Sequence, residues 1–249
     1  MISPILLKIG NLEIRYYGIL MALAFLTGYF IVKKIRKEFD LSEAHIDNLF
    51  VYFLISTILG ARLFEVLFYD FSYYFNNPIK IFYVWEGGLA SHGAVIGMFL
   101  VALYYSKKHK IPFYNIADLF VIPIALGSAF VRLGNFINGE LVGKITNSFL
   151  GIKFNGYEVL RHPIQLYQVF SNLILFSILW NVKKIKNRKP GLIFWTFMML
   201  FSVFRFFIEF LRDLPAGYGH IMFGLNVAQI ASVIIFLISI YPLHKRIKF

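Results

Sequence analysis

The chain has 249 residues, of which 59% are hydrophobic, 19% aromatic and only 15% charged, against about 45–50% apolar and about 25% charged in an ordinary soluble domain. Its 29 Phe and 15 Tyr are too many for one water-soluble core of this length and exclude disorder, while the absence of Cys excludes a disulfide scaffold, a cysteine zinc site and an iron–sulfur cluster. The net charge of +12 falls in short blocks between long apolar runs, the pattern of a polytopic membrane protein, not of a nucleic-acid binder.

A bilayer crossing needs roughly 20 mostly apolar residues. Seven such helices are expected, at about 17–35, 48–68, 87–106, 115–134, 164–182, 191–211 and 224–243. The fold class is therefore an all-α integral membrane protein, one domain over 1–249, with a small outer-face segment at 135–163. Met1 to Tyr16 has no basic start and no evident cleavage site, so the first span is expected to be an uncleaved anchor. The second is expected to begin after an N-cap at Asp47, and the sixth after the loop signal Pro190-Gly191.

Sidedness follows from Lys and Arg. The loops after spans one, three and five hold Lys33, Lys34, Arg36 and Lys37, then Lys107, Lys108 and Lys110, then Lys183, Lys184, Lys186, Arg188 and Lys189. The tail adds Lys245, Arg246 and Lys248. The other side holds Lys8, Arg15, Lys80, Lys144, Lys153, Arg161 and Arg212. The heavier side is cytoplasmic, which puts the N-terminus outside and the C-terminus inside.

Three arginines remain, Arg62, Arg132 and Arg205, all within spans. An arginine at mid-bilayer costs about 2.5–3.5 kcal/mol on insertion scales, so three are not expected in a purely structural bundle. Counted along their spans, they share one level, the deepest roughly 9 Å below the outer boundary at about 1.5 Å per residue. Snorkelling to the interface and pairing with acids is the structural alternative. Arg62 and Glu65 share a helix face, and Arg205, Glu209 and Arg212 form an i, i+4, i+7 stripe. An acid can aim one guanidinium and leave net positive charge for a ligand. Guanidinium groups suit phosphate, and a phosphate-bearing ligand in the outer half of a membrane is most simply a phospholipid.

His92 falls at the same level. The other histidines, His45, His109, His162, His220 and His244, lie in loops, at ends or on the tail without metal-ligand spacing, so no metal is expected. Gly93 and Gly97 form a small-xxx-small pair suited to close helix packing. Asp118 reads as a helix-start acid. After span four comes the densest polar stretch, Arg132-Leu-Gly-Asn135-Phe-Ile-Asn138-Gly-Glu140-Leu-Val-Gly143. It is either an anion-binding loop built on glycine-flanked amides or a glycine-rich helix exit meeting water. An intramembrane lipid enzyme is one function that fits. An anion transporter using arginine rings is another, but no internal repeat and no polar path to the cytoplasmic half are seen. A structural scaffold fits the buried arginines least.

The same stretch resembles the signature of the prolipoprotein diacylglyceryl transferase family. Tyr16-Tyr17-Gly18, Gly87-Gly88-Leu-Ala-Ser-His92-Gly93, Arg161-His-Pro-Ile-Gln-Leu-Tyr167 and Phe204-Arg205-Phe-Phe-Ile-Glu209-Phe-Leu-Arg212 agree with it in order. The resemblance implies a bacterial inner-membrane enzyme with its site in the outer half. Such an enzyme moves a diacylglyceryl group from phosphatidylglycerol to the lipobox cysteine of a prolipoprotein, forming a thioether and releasing glycerol phosphate. No cofactor and no nucleic acid are involved. Arg132 and Arg205 would stabilise the departing phosphate, with Arg62 as a third cation. Glu65 and Glu209 would hold the arginines. The thiolate is the nucleophile, and an imidazole, with a reference pKa of about 6.5, is a sensible base for a thiol of about 8.5. His92 takes that role by resemblance. Tyr17, Asn135, Asn138, Glu140, Gly143, Glu209 and Arg212 are carried over as substrate-binding residues. The chain departs from the family at Val131 and Ala94, where glycine is frequent, and between Gly143 and Arg161, where it is short.

Overall fold

The computed structural model describes residues 3–10, 12–214 and 221–247; His220 and Lys248 lie outside them. Among the described residues, long helices overlap the seven expected stretches, with ends that differ by up to several residues. They are α1 (Tyr16–Ile35), α2 (Glu43–Phe64), α4 (Ser91–His109), α5 (Phe113–Asn138), α6 (Ile164–Val182), α7 (Leu192–Glu209) and α8 (Val227–Ile247), with a short α3 (Phe71–Asn76) between α2 and α4. Among the described residues, five helical stretches are long and apolar enough to cross a membrane: Tyr16–Phe39, Glu43–Tyr69, Phe113–Asn138, Leu192–Glu209 and Val227–Ile247. The helices α4 and α6 are interrupted by polar residues, among them His92, Lys107 and Lys108 in the first and Gln165, Gln168, Asn172 and Asn181 in the second. The chain is thus an essentially all-helical integral membrane protein.

Its surface fits that solvent. Leu26, Phe30, Leu237 and Ile238 are all more than half exposed. Burying one such side chain away from water gains about 1.5–3 kcal/mol; lipid supplies that gain without a protein partner. Hydroxyls within the helices bond back onto their own helix, as Thr27 does to the Leu23 carbonyl (2.6 Å) and Ser239 to that of Ile235 (2.7 Å). Hydrocarbon leaves no other way to satisfy them.

The chain divides into two compact units, residues 1–32 with 118–249, and residues 33–117. In the 33–117 unit, α2 packs on α4. A side-chain carbon at Gly93 would collide with the Gly60 carbonyl, and one at Gly97 with the Ser56 carbonyl. The small-xxx-small pair therefore lets two backbones touch. The N-cap of α2 is Ser42, whose hydroxyl accepts from the His45 amide at 3.3 Å. This corrects the expectation of Asp47, which lies inside the helix and within 3.8 Å of Lys33. A π-helical turn (Glu65–Tyr69) extends α2, and 3-10 turns at Pro78–Phe82 and Val84–Glu86 lead into α4.

The other unit opens with an antiparallel hairpin, β1 (Ile5–Ile9) and β2 (Leu12–Arg15), a minor departure from an all-α expectation. The start of α1 lies against the end of α5, where a carbon on Gly134 would meet the Tyr17 ring at 2.7 Å. The helix α7 packs between α6 and α8. Asp118, expected to be a helix-start acid, instead caps α7 from α5. Its buried carboxylate accepts from the Gly191 and Phe194 amides at 2.7 Å each, satisfying orphan donors at that N-terminus.

Candidate active site

The C-terminal turn of α7 carries the stripe expected from its spacing. Glu209 is 3% exposed. Its carboxylate pairs with Arg205, one turn back, at 2.9 Å and with Arg212, one turn on, at 3.5 Å. Asn226 donates to the same carboxylate at 3.4 Å. Asn226 is held in turn by reciprocal bonds with Gln229, each backbone amide donating to the other side chain. This is a capping box in amide form at the start of α8. Two guanidiniums thus share one buried carboxylate.

The end of α5 supplies a third. The helix persists to Asn138, so Arg132 and Asn135 do lie on one face, and Arg132 Nη1 donates to Asn135 Oδ1 at 3.3 Å. Asn135 Nδ2 donates to Glu140 at 3.0 Å, and Asn138 Nδ2 donates to its other oxygen at 3.0 Å. Gly139, with φ +70°, makes the reversal that brings Glu140 back over the helix end, a conformation a Cβ disfavours. Gln165, fully buried at the start of α6, donates to the Glu140 carbonyl. The carboxylate therefore fixes two amides, and one of these fixes Arg132.

Arg132 lies within electrostatic range of Arg205 and Arg212, which repel it, and of Glu209 and the Tyr17 phenol, which face it. Tyr17 also senses Glu140. Three guanidiniums in a partly dehydrated space, balanced by two carboxylates, leave a surplus positive charge. Like charges at short range outside bulk water repel by several kcal/mol. A bound anion relieves that repulsion, and the planar forks suit the oxygens of a phosphate.

Gly143 has a different part from the one expected. Its amide donates to the His162 carbonyl at 3.0 Å and it pairs with Arg212 across an isolated bridge. A Cβ there would lie 2.6 Å from the His162 carbonyl and 2.8 Å from that of Leu211. Glycine is needed because two backbones close on it. Arg161 locks this crossing by donating to the Gly143 carbonyl at 3.1 Å and pairing with Asp213. Gly143 and Arg161 thereby set the position of Arg212.

The 33–117 unit holds Arg62 and His92. Arg62 is buried, and all five of its N–H groups have partners: Nε on Ile81, Nη1 on Gly87 and Gly88, Nη2 on Lys80 and Tyr83, each through a backbone carbonyl. Its guanidinium also lies over the Tyr74 ring at 4.8 Å. The expectation that Arg62 presents its guanidinium to a ligand, aimed by Glu65, is corrected. Its donors are spent holding the loop that leads to His92. That loop carries the Lys80–Glu86 pair at 2.7 Å, a bond that raises the Lys80 pKa. His92 is exposed in the first turn of α4. Its Nδ1 lies 3.4 Å from the Tyr69 hydroxyl, which leaves Nε2 pointing away from that contact.

Asn226 and Asp213 were not singled out from the sequence, and Arg161 and Gln165 entered the family resemblance only as members of the segment Arg161–Tyr167, with no role given to either. Asn226-x-x-Gln229 preceding an apolar run is a readable cap signal; the partners of the other three are distant in sequence, Gln165 on Glu140 and Arg161 on Gly143 and Asp213. Among the described residues, no three His, Cys, Asp or Glu side chains gather as a metal site requires.

A profile of the prolipoprotein diacylglyceryl transferase family matches residues 4–244. Among curated proteins, the chain is 39% identical over 243 residues to the phosphatidylglycerol–prolipoprotein diacylglyceryl transferase of Geobacter sulfurreducens, covering 96% of this chain and 93% of that one. It is 36% identical to the protein of that name from Rickettsia bellii, over 98% and 95% of the two chains. For the one from Ehrlichia ruminantium the identity is 37%, over 96% and 95%.

Proposed function

The chain belongs to the prolipoprotein diacylglyceryl transferase family, and on that premise we propose that it transfers the diacylglyceryl group of phosphatidylglycerol to a prolipoprotein. It is a bacterial membrane transferase acting at the first step of lipoprotein maturation. The acceptor is the lipobox cysteine thiol. Its sulfur attacks the glycerol carbon that bears the phosphate ester. A carbon–sulfur bond forms as the carbon–oxygen bond breaks, the electron pair leaves on the phosphate oxygen as glycerol phosphate, and the thiol proton passes to a base.

The observation that carries this reading is the pairing of Arg205 and Arg212 with the buried Glu209 carboxylate, with Arg132, held by Asn135, within electrostatic range of both arginines. Charge grows on the phosphate as the bond breaks, and donors fixed beforehand stabilise that growth without reorganising. Arg132 and Arg205 are the catalytic cations, and Arg212 binds with them. Asn135, Asn138 and Glu140 orient Arg132, and Tyr17 closes the wall beside Gly134. Glu209 spaces the arginines, Gly143 admits the backbone crossing that carries Arg212, and Arg62 builds the loop before His92. The base is His92, an assignment supported by its exposed ring and by the family resemblance of the segment around it.

The topology proposed with this function has seven spans, 17–35, 48–68, 87–106, 115–134, 164–182, 191–211 and 224–243, in the bacterial inner membrane. The N-terminus is outside and the C-terminus cytoplasmic. The site lies in the outer half, and 135–163 forms the outer segment. The excess of Lys and Arg in alternate loops supports it.

Purified protein with phosphatidylglycerol and a lipobox peptide tests the function by mass spectrometry. The peptide should gain one diacylglyceryl group, and a Cys-to-Ser peptide should gain none. Folded, lipid-binding protein that adds no mass would overturn the assignment and turn attention to anion flux.

A further inference from the structure

Three side-chain amides hold Glu140, and they differ in what their oxygens do. Asn135 Nδ2 and Asn138 Nδ2 each donate to a carboxylate oxygen of Glu140 at 3.0 Å, and Gln165 Nε2 donates to its backbone carbonyl. An ionised carboxylate and a carbonyl only accept, so each amide faces Glu140 with its NH2 group and turns its oxygen elsewhere. The Asn135 oxygen accepts from Arg132 Nη1 at 3.3 Å. Asn138 Oδ1 and Gln165 Oε1 are buried atoms with no donor among the described residues, and the whole Gln165 side chain is buried. A dehydrated acceptor without a donor is costly, and a native fold keeps few of them.

The fold fixes both oxygens in place. Asn138 ends α5, and Gln165 lies in the first turn of α6. Between them the Glu140 amide donates to the Asn135 carbonyl at 3.0 Å, and Glu140 is flanked by two left-handed residues, Gly139 at φ +70° and Leu141 at φ +55°. A leucine adopts that conformation only under constraint. The constraint comes from the crossing just beyond it, where the Gly143 amide donates to the His162 carbonyl and the His162 amide to the Lys144 carbonyl, each at 3.0 Å. That crossing brings α6 against Glu140. The two acceptors therefore hang from one residue, and Asn135 ties the same residue to Arg132.

A ligand that completes these oxygens carries hydrogen-bond donors a few bonds from an anion held by Arg132. We propose that Asn138 Oδ1 and Gln165 Oε1 receive the hydroxyls of the glycerol head group of phosphatidylglycerol while its phosphate meets the arginines, so that these two amides select the lipid by its head group. The proposal rests on the reading above that this lipid is the substrate. A choline head group offers the pair no N–H or O–H donor, and phosphatidic acid has no head group to offer. With Arg132, Arg205 and Arg212 nearby, a neutral hydroxyl suits the site better than the ammonium of ethanolamine. After transfer the same hydroxyls belong to the departing glycerol phosphate, which the site holds by its phosphate and by its glycerol.

Competition against a fluorescent phosphatidylglycerol in detergent tests this on soluble ligands. Propyl phosphate keeps the phosphate of glycerol phosphate and lacks both hydroxyls. Glycerol phosphate should compete with wild-type protein at least about ten-fold better, the discrimination of a site built to receive hydroxyls. In Gln165→Met, which keeps the length and removes the amide, most of that preference should vanish. Equal competition in wild type would overturn the proposal, because water would then serve the two oxygens. A Gln165→Met protein that binds both ligands more weakly but keeps their ratio would overturn it too, since Gln165 would then only fasten Glu140. So would a variant that keeps the ratio and raises KM for the lipobox peptide. A second measurement needs no variant: transfer from phosphatidylglycerol should exceed transfer from phosphatidylpropanol at least about ten-fold in kcat/KM. Equal transfer from the two lipids would contradict the site. Transfer from neither, with the preference for glycerol phosphate intact, would defeat the transferase reading and leave the head-group site standing.

Discussion

Arg205 and Glu209 stand one helical turn apart on α7 and meet at 2.9 Å, with the carboxylate almost wholly buried and the guanidinium about one-fifth exposed. The acid is the fixed member and the arginine the presented one. The same carboxylate reaches forward to Arg212, so a single buried charge spaces two cations. Glu209→Gln keeps the shape and removes that charge. Removing one member of a buried pair typically costs about 3–5 kcal/mol. The variant should melt at lower temperature and transfer roughly 10²-fold more slowly, read by thermal unfolding in detergent and by peptide mass gain. Wild-type values in both would remove Glu209 from the account.

Arg132 is reached through Asn135 and Glu140 and not through a direct carboxylate. Arg132→Ala should insert and fold normally but lower kcat about 10²–10³-fold, the loss expected for one preorganised donor. Arg132→Lys should recover little, because an ammonium lacks the planar fork. The check is single-turnover transfer at saturating lipid; full recovery with lysine would mean that charge alone suffices.

Gly143 is pressed between two carbonyls. Gly143→Ala should lose most activity and expose 142–144 and 211–213 to hydrogen exchange, because Arg212 sits on that crossing. Gly127→Ala is the control, since a carbon there meets the Ala24 side chain at an ordinary 3.6 Å. It should be neutral or stabilise by up to about 1 kcal/mol through helix propensity.

Arg62 gives every donor to the loop at Lys80–Gly88. Arg62→Lys offers three donors where five carbonyls wait, so that loop should become the first site of limited proteolysis. Transfer should fall mainly in kcat, with KM for phosphatidylglycerol little changed. A variant whose KM alone rises would return Arg62 to the role of a lipid ligand.

His92→Gln preserves size and hydrogen bonding while removing the base. Transfer at neutral pH should drop by roughly 10²-fold or more, within the span seen for general acid–base catalysis, with phosphatidylglycerol binding unchanged. A small loss would make His92 positional and place the base elsewhere.

What the sequence disclosed was local. The Arg205, Glu209 and Arg212 stripe was readable because a helix converts spacing into proximity within two turns, and Arg132 with Asn135 for the same reason. The close approach at Gly93 and Gly97 was readable from small residues one turn apart. Gly10, directly after β1 and with φ +59°, takes the left-handed conformation that a tight hairpin turn uses, a signal local to the sequence. What stayed hidden acts at a distance in sequence. Asp118 caps a helix more than seventy residues away. Arg62 meets its carbonyls eighteen to twenty-six residues on, where its nearest acid, Glu65, had seemed the natural partner. Gly143 looked like a ligand-facing glycine because its crowding comes from His162 and Leu211, which only the fold brings together.

The central claim is that the arginines serve carbon–oxygen cleavage, with phosphate as the leaving group. Phosphatidylglycerol carrying oxygen-18 in the bridge between the diacylglycerol carbon and phosphorus tests it most directly. The account predicts all of the label in released glycerol phosphate, one equivalent per thioether formed. Label retained on diacylglycerol would mean that the phosphorus–oxygen bond breaks, and the assignment of these arginines to an alkyl transfer would be wrong.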